Sequence, residues 1–361
     1  MRIALVGDYP PPFGGLSVHV RALERALRSR GADVRVLDIG KGDHYEPGRI
    51  LRARGPVSFA RELAAAAAWG YLLHVHTSGA NPKSWLVALG ASRARRPFAA
   101  HGVLTLHSGL SPAWLAGSGD RRGLARAACT GYGRVIAVNG DIAEAVMRCG
   151  VPADRIAVLP AFSPSQVVVG PLPPEAGAFR RQRAPLFAAA LAPGPTYGED
   201  LLDEAFAVVR EREPRAGLVA FGPCSAGGPL ARRGLAGGVL ALGEIPNEEA
   251  LATMAAADVF VRPTRADGDA VSVREALTFG RPVVASAVGH RPPGCLLFPV
   301  GDARALAAQM IAATRLPRDP APLVPRKDPV DTLWAIYAAL GRASPVGRGP
   351  AAHAQHASSR P

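Results

Sequence analysis

Residues 2–37 read RIALVGDYPPPFGGLSVHVRALERALRSRGADVRVL, and they establish the type of fold. The first part, Arg2–Gly7, is a short apolar run ended by glycine, which is typical of a buried parallel strand. Apolar residues then recur at helical spacing up to Gly31, and a second apolar run follows at 34–37. These residues therefore predict a strand, a helix and a second strand, the repeating unit of a parallel sheet.

The same alternation continues along the chain in two sets. Strand-like segments occur at 72–76, 103–107, 135–138 and 156–159, and again at 185–191, 217–222, 238–242, 258–261 and 282–286. The pattern predicts an α/β protein with two doubly wound parallel-sheet (Rossmann-like) domains at 1–165 and 185–330. A proline-rich linker is predicted at 166–184, an amphipathic terminal helix at 331–343 and a disordered tail at 344–361. Because such sheets bind ligands at the carboxyl ends of their strands, we expect the functional site in a cleft between the domains.

Composition excludes several classes of protein. The 361 residues are 48% hydrophobic and 20% charged, as in a folded enzyme, and four scattered cysteines without a C-x-x-C pair predict reduced thiols. We find no signal peptide or membrane-spanning run, and expect a cytoplasmic protein. The net charge is +13, and two arginine clusters could contact an anionic membrane at its inner face. They are Arg49, Arg52 and Arg54, and Arg93, Arg95 and Arg96. An arginine-rich codon usage explains them equally well, and without a nucleic-acid-binding motif we expect no nucleic acid partner.

The segment with the strongest functional signal is 262–286, RPTRADGDAVSVREALTFGRPVVAS. In this segment a strand ends, an acidic loop follows and a helix begins. The free backbone N–H groups and the positive dipole end of that helix can hold a diphosphate. The flanking carboxylates can accept hydrogen bonds from sugar hydroxyls.

This segment resembles the donor-binding motif of glycosyltransferase family 4, in which seven residues separate two acidic ones, here Asp267 and Glu275. The resemblance implies a GT-B fold whose two domains face each other across a cleft, with a nucleotide diphosphate sugar as donor. It implies that Glu275 binds the ribose hydroxyls of the nucleotide. It places Asp267 and the backbone from Gly268 through Asp269 and Ala270 to Val271 at the transferred sugar and its phosphates.

Three other interpretations of the same segment remain open. Ser272 and Glu275 have the spacing of a helix capping box, and Asp267–Gly268 is also an ordinary turn sequence. Asp267 and Asp269 could also be the metal-binding acidic pair of the other major glycosyltransferase fold. Their position late in the chain, after two α/β sets, argues against that interpretation.

Two further features of the first domain resemble the family. The pair Gly14 and Gly15 directly after the first strand resembles the double-glycine loop, which lets backbone amides approach the donor or the acceptor. His107 resembles the histidine at a strand end, to which the resemblance assigns a catalytic role in orienting the transferred sugar and stabilising charge. A bare turn and a histidine bonded locally to backbone are the structural alternatives.

Other polar residues near predicted strand ends are weaker candidates. His74 and His76 alternate on one strand and share a face, but no third metal ligand is evident, so we predict no metal site. Asn139 also follows a strand, and we interpret it as a turn residue.

The chain departs from the family in the second domain, where an arginine and a lysine usually neutralise the diphosphate. Ala190 and Tyr197 stand in those places. Arg262 and Arg265 are the nearest cations that could compensate, and we include both among the donor-binding candidates.

The resemblance implies an enzyme that transfers a hexosyl unit with retention, without a metal or another cofactor. A glycan or a lipid-diphosphate-linked acceptor in cell-surface polysaccharide synthesis would fit. Because the two cations are absent, a second interpretation stays open. In it the chain is a catalytically inactive GT-B protein that binds a nucleotide sugar or a partner transferase without turnover. A nucleotide-sugar epimerase of the same fold is the third possibility.

Overall fold

A computed structural model of the protein describes residues 1–40, 50–53, 55–94, 102–164, 167–223, 227–317 and 328–342. The strands of the first domain are β1 (Arg2–Gly7), β2 (Asp33–Asp38), β3 (Ile50–Arg52), β4 (Leu72–Thr77), β5 (Val103–Leu106), β6 (Arg134–Ala137) and β7 (Ile156–Val158). Its helices are α1 (Gly15–Ser29), α2 (Pro56–Ala68), α3 (Pro82–Ala94), α4 (Ser111–Ala116), α5 (Gly119–Cys129) and α6 (Gly140–Arg148). All neighbouring strands pair in parallel, in the order β3-β2-β1-β4-β5-β6-β7.

The second domain repeats this architecture. Its strands are β8 (Leu186–Ala190), β9 (Gly217–Phe221), β10 (Val239–Gly243), β11 (Val259–Arg262), β12 (Val283–Ser286) and β13 (Cys295–Phe298). Its helices are α7 (Pro174–Gln182), α8 (Glu199–Arg212), α9 (Pro229–Arg233), α10 (Asn247–Ala256), α11 (Val271–Thr278) and α12 (Ala303–Ala313). The parallel order is β10-β9-β8-β11-β12-β13. The predicted pair of doubly wound α/β domains is confirmed.

The central strands are buried on both faces, which explains their continuous apolar sequences. Ile3, Leu5 and Val6 of β1 are fully buried, and so are Phe187 and Ala188 of β8. Helices cover both faces of each sheet, so each domain has its own core.

Helix α7 lies within the segment predicted as linker. It begins with Pro174, which suits the first helical position, and it buries Ala176 and Phe179. Phe179 packs with Leu186 and Val219 of the second sheet, so this helix belongs to the second domain.

The last described helix, α13 (Pro329–Arg342), returns to the first domain. Val330, Leu333 and Tyr337 pack in the same core as strands β1 and β2, and Arg30 of α1 pairs with Asp331 at 2.6 Å. The predicted tail beyond residue 342 lies outside the described residues. So do Arg49, Arg54, Arg95 and Arg96 of the two basic clusters, and a basic membrane surface stays a prediction.

Among the described residues, none of the helices combines the length and apolar character that crossing a membrane requires. Cys129, Cys149 and Cys295 are free thiols.

Candidate active site

A cavity of about 440 Å³ lies between the carboxyl ends of the two sheets. With one exception, every residue that the sequence analysis placed in the site lines this cavity. From the first domain these are Gly14, Gly15 and His107, and from the second Arg262, Asp267, Gly268, Asp269, Ala270, Val271 and Glu275. The exception is Arg265, which borders a separate opening together with Asp141 and Glu144. The acidic motif and the strand-end histidine therefore face one cavity, although about 160 residues separate them in sequence.

The two domains are in direct contact at one wall of this cavity. The amide of Asn139 donates a hydrogen bond to the carbonyl oxygen of Gly268 across the domain boundary, at 2.8 Å. The Asn139 side-chain oxygen accepts from the Ile142 N–H and caps helix α6. The interpretation of Asn139 as only a turn residue is wrong. Its side-chain nitrogen bonds to the second domain, and its side-chain oxygen caps a helix of the first.

Other cross-domain contacts surround the first turn of α1. Gly14 is the N-cap residue of this helix, and the N–H of Phe13 donates to Glu244 in the second domain at 2.6 Å. Arg21 and Arg25, on the same helix, pair with Glu248 of α10 at 3.2 and 3.0 Å. The glycine loop is thus held against the second domain at the cavity.

The carboxylate of Asp267 is bound by two guanidinium groups. Arg262 donates at 3.0 Å and Arg291 at 3.1 Å, and the Thr264 hydroxyl donates at 3.1 Å. Burial by itself raises the pKa of Asp267, but the charges and hydrogen bonds of Arg262 and Arg291 bring that pKa below its ordinary value. The carboxylate is therefore ionised at neutral pH. The two arginines leave one positive charge in excess beside it.

Arg291 was missed by sequence reasoning, and no motif signals it. It lies 24 residues beyond Asp267 in the loop after β12, and its side chain is only 4% exposed. Its guanidinium also contacts the Ser286 carbonyl and the Thr264 hydroxyl.

Arg262 and Arg265, the two candidates for compensation, have different surroundings. Arg262 lines the cavity, lies 5.2 Å over the ring of Tyr197 and contacts the Ala190 carbonyl at 3.4 Å. It thus lies beside both residues that replace the family's usual cations. Arg265 pairs with Asp200 at 2.7 Å and donates to the Pro195 carbonyl, away from the cavity.

Glu275 lies on α11 and is buried at the cavity wall. Burial raises its pKa to about 7, and the positive charge of Arg262 opposes that shift. The capping-box interpretation is wrong, because α11 begins at Val271 with Ala270 as its N-cap and no side-chain cap. Ser272 is inside the helix, and Glu275 is free to face the cavity.

Asp269 forms an ion pair with a different arginine, Arg274. Its two oxygens lie 2.7 and 3.0 Å from Arg274 Nε, and its backbone bridges to that of His290. Because Asp267 and Asp269 are both in ion pairs with arginines, the arrangement argues against their use as a metal-binding pair.

Four histidines converge beside the cavity: His19 on α1, His74 and His76 on β4, and His107 after β5. One ring nitrogen from each of His19, His76 and His107 lies within 4.8 Å of the others. The predicted pairing of His74 with His76 as potential ligands is not the arrangement found, since His76 lies with His19 and His107 instead. The residues come from three elements that only the folded sheet brings together.

The histidines differ in their hydrogen bonds. His107 Nε2 lies 3.1 Å from His76 Nδ1, so His107 is bonded to a side chain of the neighbouring strand. His74 bonds the Tyr337 hydroxyl at 2.6 Å and the Thr105 hydroxyl at 2.7 Å. Burial lowers the pKa of all four rings, that of His19 to about 4, so they are neutral at pH 7.

Comparison with known protein families gives two matches. Residues 13–162 match the family described as Glycosyltransferase Family 4, and residues 183–315 match the family described as Glycosyl transferases group 1. Together these matches cover more than three quarters of the chain. No curated protein matches the chain.

Solved structures give a consistent result. Anabaena HepE in complex with UDP and glucose matches with a TM-score of 0.64 and 19% identity over 95% of this chain and 100% of its own. Sucrose-phosphate synthase from Thermosynechococcus elongatus has a TM-score of 0.64 and 21% identity, covering 95% of this chain and 97% of its own. The lipopolysaccharide outer core galactosyltransferase WaaB has a TM-score of 0.54 and 14% identity over 86% and 89%. At these identities the likeness shows the fold alone.

Proposed function

Because the chain belongs to the GT-B glycosyltransferases of family 4, we propose that it transfers a hexosyl unit from a nucleotide diphosphate sugar to a glycan or lipid-linked acceptor. The observation that carries the proposal is the shared cavity. In it, Asp267 and Glu275 of the second domain face His107 of the first. The second domain would thus bind the donor, and the acceptor would approach it from the side of the first domain.

The polar and charged groups of the cavity complement those of a nucleotide diphosphate sugar. Glu275, once ionised, accepts hydrogen bonds from the ribose hydroxyls, and the N–H groups of the first turn of α11 face the diphosphate. Arg262 supplies positive charge next to Ala190 and Tyr197, where the usual cations are replaced. The structures of Anabaena HepE in complex with UDP and glucose and with UDP-glucose support a uridine diphosphate sugar as the first donor to test.

Transfer with retention follows from the chemistry that the family implies. The bond from the anomeric carbon to the leaving phosphate oxygen breaks, and its electron pair stays on that oxygen. The acceptor hydroxyl oxygen bonds to the same face of the carbon, and its proton passes to the leaving phosphate. Neutral His107 and the carboxylate of Asp267 orient the sugar hydroxyls, and Arg262 stabilises the developing phosphate charge. The proposal requires neither a protein nucleophile nor a metal ion.

The acceptor is proposed from one structural likeness and from the charge of the first domain. The likeness to WaaB, a lipopolysaccharide galactosyltransferase, supports a cell-surface glycan as acceptor. A lipid-diphosphate carrier at the inner face of the membrane would complement the excess of arginine in the first domain, where residues 1–165 carry 21 Lys and Arg against 11 Asp and Glu.

A second candidate function rests on Ala190 and Tyr197. Without the two usual cations, the protein could bind a nucleotide sugar or a partner transferase and not turn over. An epimerase acting on the donor sugar would release an isomer of the nucleotide sugar and would need no acceptor.

The full chain can be tested with a panel of nucleotide sugars, first by thermal shift and then by following donor consumption and products by NMR. A glycosylated acceptor whose linkage keeps the donor's anomeric configuration, formed at an unchanged rate in the presence of a chelator, supports the proposal. Binding without consumption supports the catalytically inactive protein, and an isomerised donor supports the epimerase.

The matched variants for this test are Asp267→Asn and Asp203→Asn. Asp267→Asn keeps the shape of the side chain but removes its charge, and we expect transfer to fall by about 100-fold. Asp203 is also in an ion pair with an arginine, Arg233, but does not line the cavity, so its variant should transfer at the parental rate. Equal rates for both variants would refute a role of Asp267 in transfer.

A further inference from the structure

The proposed sugar transfer uses only one histidine of the cluster next to the cavity. His19 and His76 have no part in it, although both are buried and each has a ring nitrogen within 4.8 Å of one in His107. Buried imidazoles gathered from three chain elements need a physical explanation, because each brings a polar nitrogen out of water.

The hydrogen bond of His19 identifies its tautomer. His19 Nδ1 lies 3.0 Å from the carbonyl oxygen of Ala161, which can only accept, so Nδ1 carries the proton. In the neutral ring Nε2 then has an unprotonated lone pair. A histidine that donates one ring N–H to a backbone carbonyl and keeps the other nitrogen bare is oriented as metal-bound histidines are.

His76 has one ring nitrogen next to His107 and, among the described residues, one without a hydrogen-bond partner. Its Nδ1 lies 3.1 Å from His107 Nε2, while its Nε2 is buried and has no hydrogen-bond partner among the residues that the structure describes. A cation would therefore bind His76 through Nδ1, in place of the hydrogen bond to His107, and within the described part of the chain the ring has no second hydrogen bond that would oppose this exchange. His74 differs, since both of its ring nitrogens are hydrogen-bonded.

We propose that His19, His76 and His107 form a binding site for a transition-metal cation, with Zn²⁺ as the best fit. Three imidazoles without a carboxylate favour Zn²⁺ over Mg²⁺ or Ca²⁺, which prefer oxygen ligands. His107 lines the inter-domain cavity, so an ion can enter from there, and a water molecule from the cavity can complete a tetrahedral set.

The distances require a modest adjustment. Zinc–nitrogen bonds of about 2.0–2.1 Å in tetrahedral geometry separate the ligand nitrogens by about 3.3 Å. The His76–His107 contact of 3.1 Å is already close to this value. The remaining separations, at most 4.8 Å, must shorten by up to about 1.5 Å, which is within the reach of ring rotations.

If the chain transfers sugar as proposed, an ion bound at this site should affect the transfer. This expectation rests on the proposed function. A bound ion would take His107 Nε2 and place two positive charges beside the ring that orients the sugar, so Zn²⁺ would inhibit transfer. Binding of the ion itself does not depend on whether the chain transfers sugar.

The test is a titration of the metal-free full chain with Zn²⁺ by calorimetry, together with the visible absorption spectrum of the Co²⁺-loaded protein. We expect one saturable site per chain and Co²⁺ bands of tetrahedral intensity. His19→Asn is the informative variant, because the asparagine amide can still donate to the Ala161 carbonyl while the Nε2 ligand is lost. His19→Asn and His76→Asn should each weaken Zn²⁺ binding by at least about tenfold.

His290→Asn is the control, since His290 is an exposed histidine of the second domain outside the cluster, and its variant should bind as the parent does. Zn²⁺ should also raise the melting temperature of the parent and not that of a folded His19→Asn variant. Absence of a saturable site, or a site unaffected in both cluster variants, would overturn the proposal. Saturable binding in a chain that never transfers sugar would refute the proposed function and leave the metal site standing.

Discussion

The backbone of Gly109 in the first domain lies so close to that of Asp267 in the second that a Cβ atom on Gly109 would stand 1.8 Å from the Asp267 carbonyl oxygen. The approach is equally tight from the other side, because a Cβ atom on Gly268 would stand 2.4 Å from the carbonyl oxygen of His107. Only residues without side chains fit at this junction. The backbone of the acidic loop therefore packs directly against that of the first domain at the edge of the cavity.

Substitution of Gly109 should therefore separate folding from function. We expect Gly109→Ala to fold, because each domain has its own core, but to keep the domains apart and weaken donor binding by at least about tenfold. Calorimetry with the donor and small-angle scattering measure the two effects. Gly119→Ala is the control, since a Cβ atom at Gly119 meets no atom within 4 Å. Donor affinity equal to the parent's in Gly109→Ala would show that this contact is dispensable.

Asn139 allows a finer test of the same junction. An aspartate at 139 can still accept from the Ile142 N–H and cap α6, but it cannot donate to the Gly268 carbonyl. We expect Asn139→Asp to keep the cap of α6 and to lose donor affinity, because its carboxylate faces the Gly268 carbonyl oxygen. Asn139→Ala loses both contacts, and its free energy of unfolding should fall by about 1 kcal/mol as well. Chemical denaturation and donor titration of both variants check this, and two variants that bind the donor as the parent does would contradict it.

Arg262 and Arg265 should differ in their effect on transfer. Arg262 lines the cavity beside Ala190 and Tyr197, so Arg262→Ala should reduce the turnover rate by about 100-fold or more. Arg265 pairs with Asp200 at a different surface, so Arg265→Ala should change turnover by less than about threefold. Steady-state kinetics with the best donor compare the variants. A parental rate in Arg262→Ala would refute the idea that this arginine replaces the missing cations.

The raised pKa of Glu275 predicts a dependence of stability on pH. The ordinary pKa of a glutamate is 4.5, and that of folded Glu275 is about 7. Between pH 4.5 and about pH 7, Glu275 has therefore lost its proton in the unfolded chain but keeps it in the folded protein. The unfolded state then binds fewer protons, so this group makes the free energy of unfolding fall as pH rises through that window. Glu275→Gln should therefore be more stable than the parent at pH 8, by roughly 3 kcal/mol, but not at pH 4.5.

Urea unfolding of both proteins across this range measures the difference. The same variant should lose donor affinity, because glutamine cannot replace an ionised acceptor of two ribose hydroxyls. A parent and variant with parallel stability profiles would show that Glu275 titrates at its ordinary pKa.

Tyr337 joins the terminal helix to the first domain through its hydroxyl contact with His74. Tyr337→Phe fits the same buried space but leaves His74 Nδ1 without that partner, which should cost about 1–3 kcal/mol of unfolding free energy. Trp334→Phe, on the same helix but only partly buried, is the comparison. Denaturation midpoints that do not distinguish Tyr337→Phe from the parent would contradict the assignment of this bond.

Much of the architecture is readable from local sequence. Strands such as β1 and β8 are continuous apolar runs, and their alternation with amphipathic helices specifies parallel sheets because both faces must be covered. The acidic loop between β11 and α11 is equally local, so its position at a strand end, and hence at the cleft, could be predicted.

The capping-box interpretation is wrong because the start of a helix depends on competition between neighbouring residues. Ser272 has the right spacing for a cap, but packing of Ala270 and Val273 starts the helix earlier. Residues 174–182 begin at the end of a proline-rich stretch with prolines at 171, 173 and 174, yet Phe179 packs on an apolar surface of the second sheet and a helix forms.

By itself the sequence determined two parallel α/β domains and which loops meet at the cleft, because strand periodicity and strand ends are properties of neighbouring residues. Only the tertiary structure decided that Arg291 joins Arg262 on Asp267, that Arg265 turns away, and that histidines from α1, β4 and β5 share one cluster. These relations join residues far apart in the chain, and the direction of each side chain depends on what the other domain or strand packs against it.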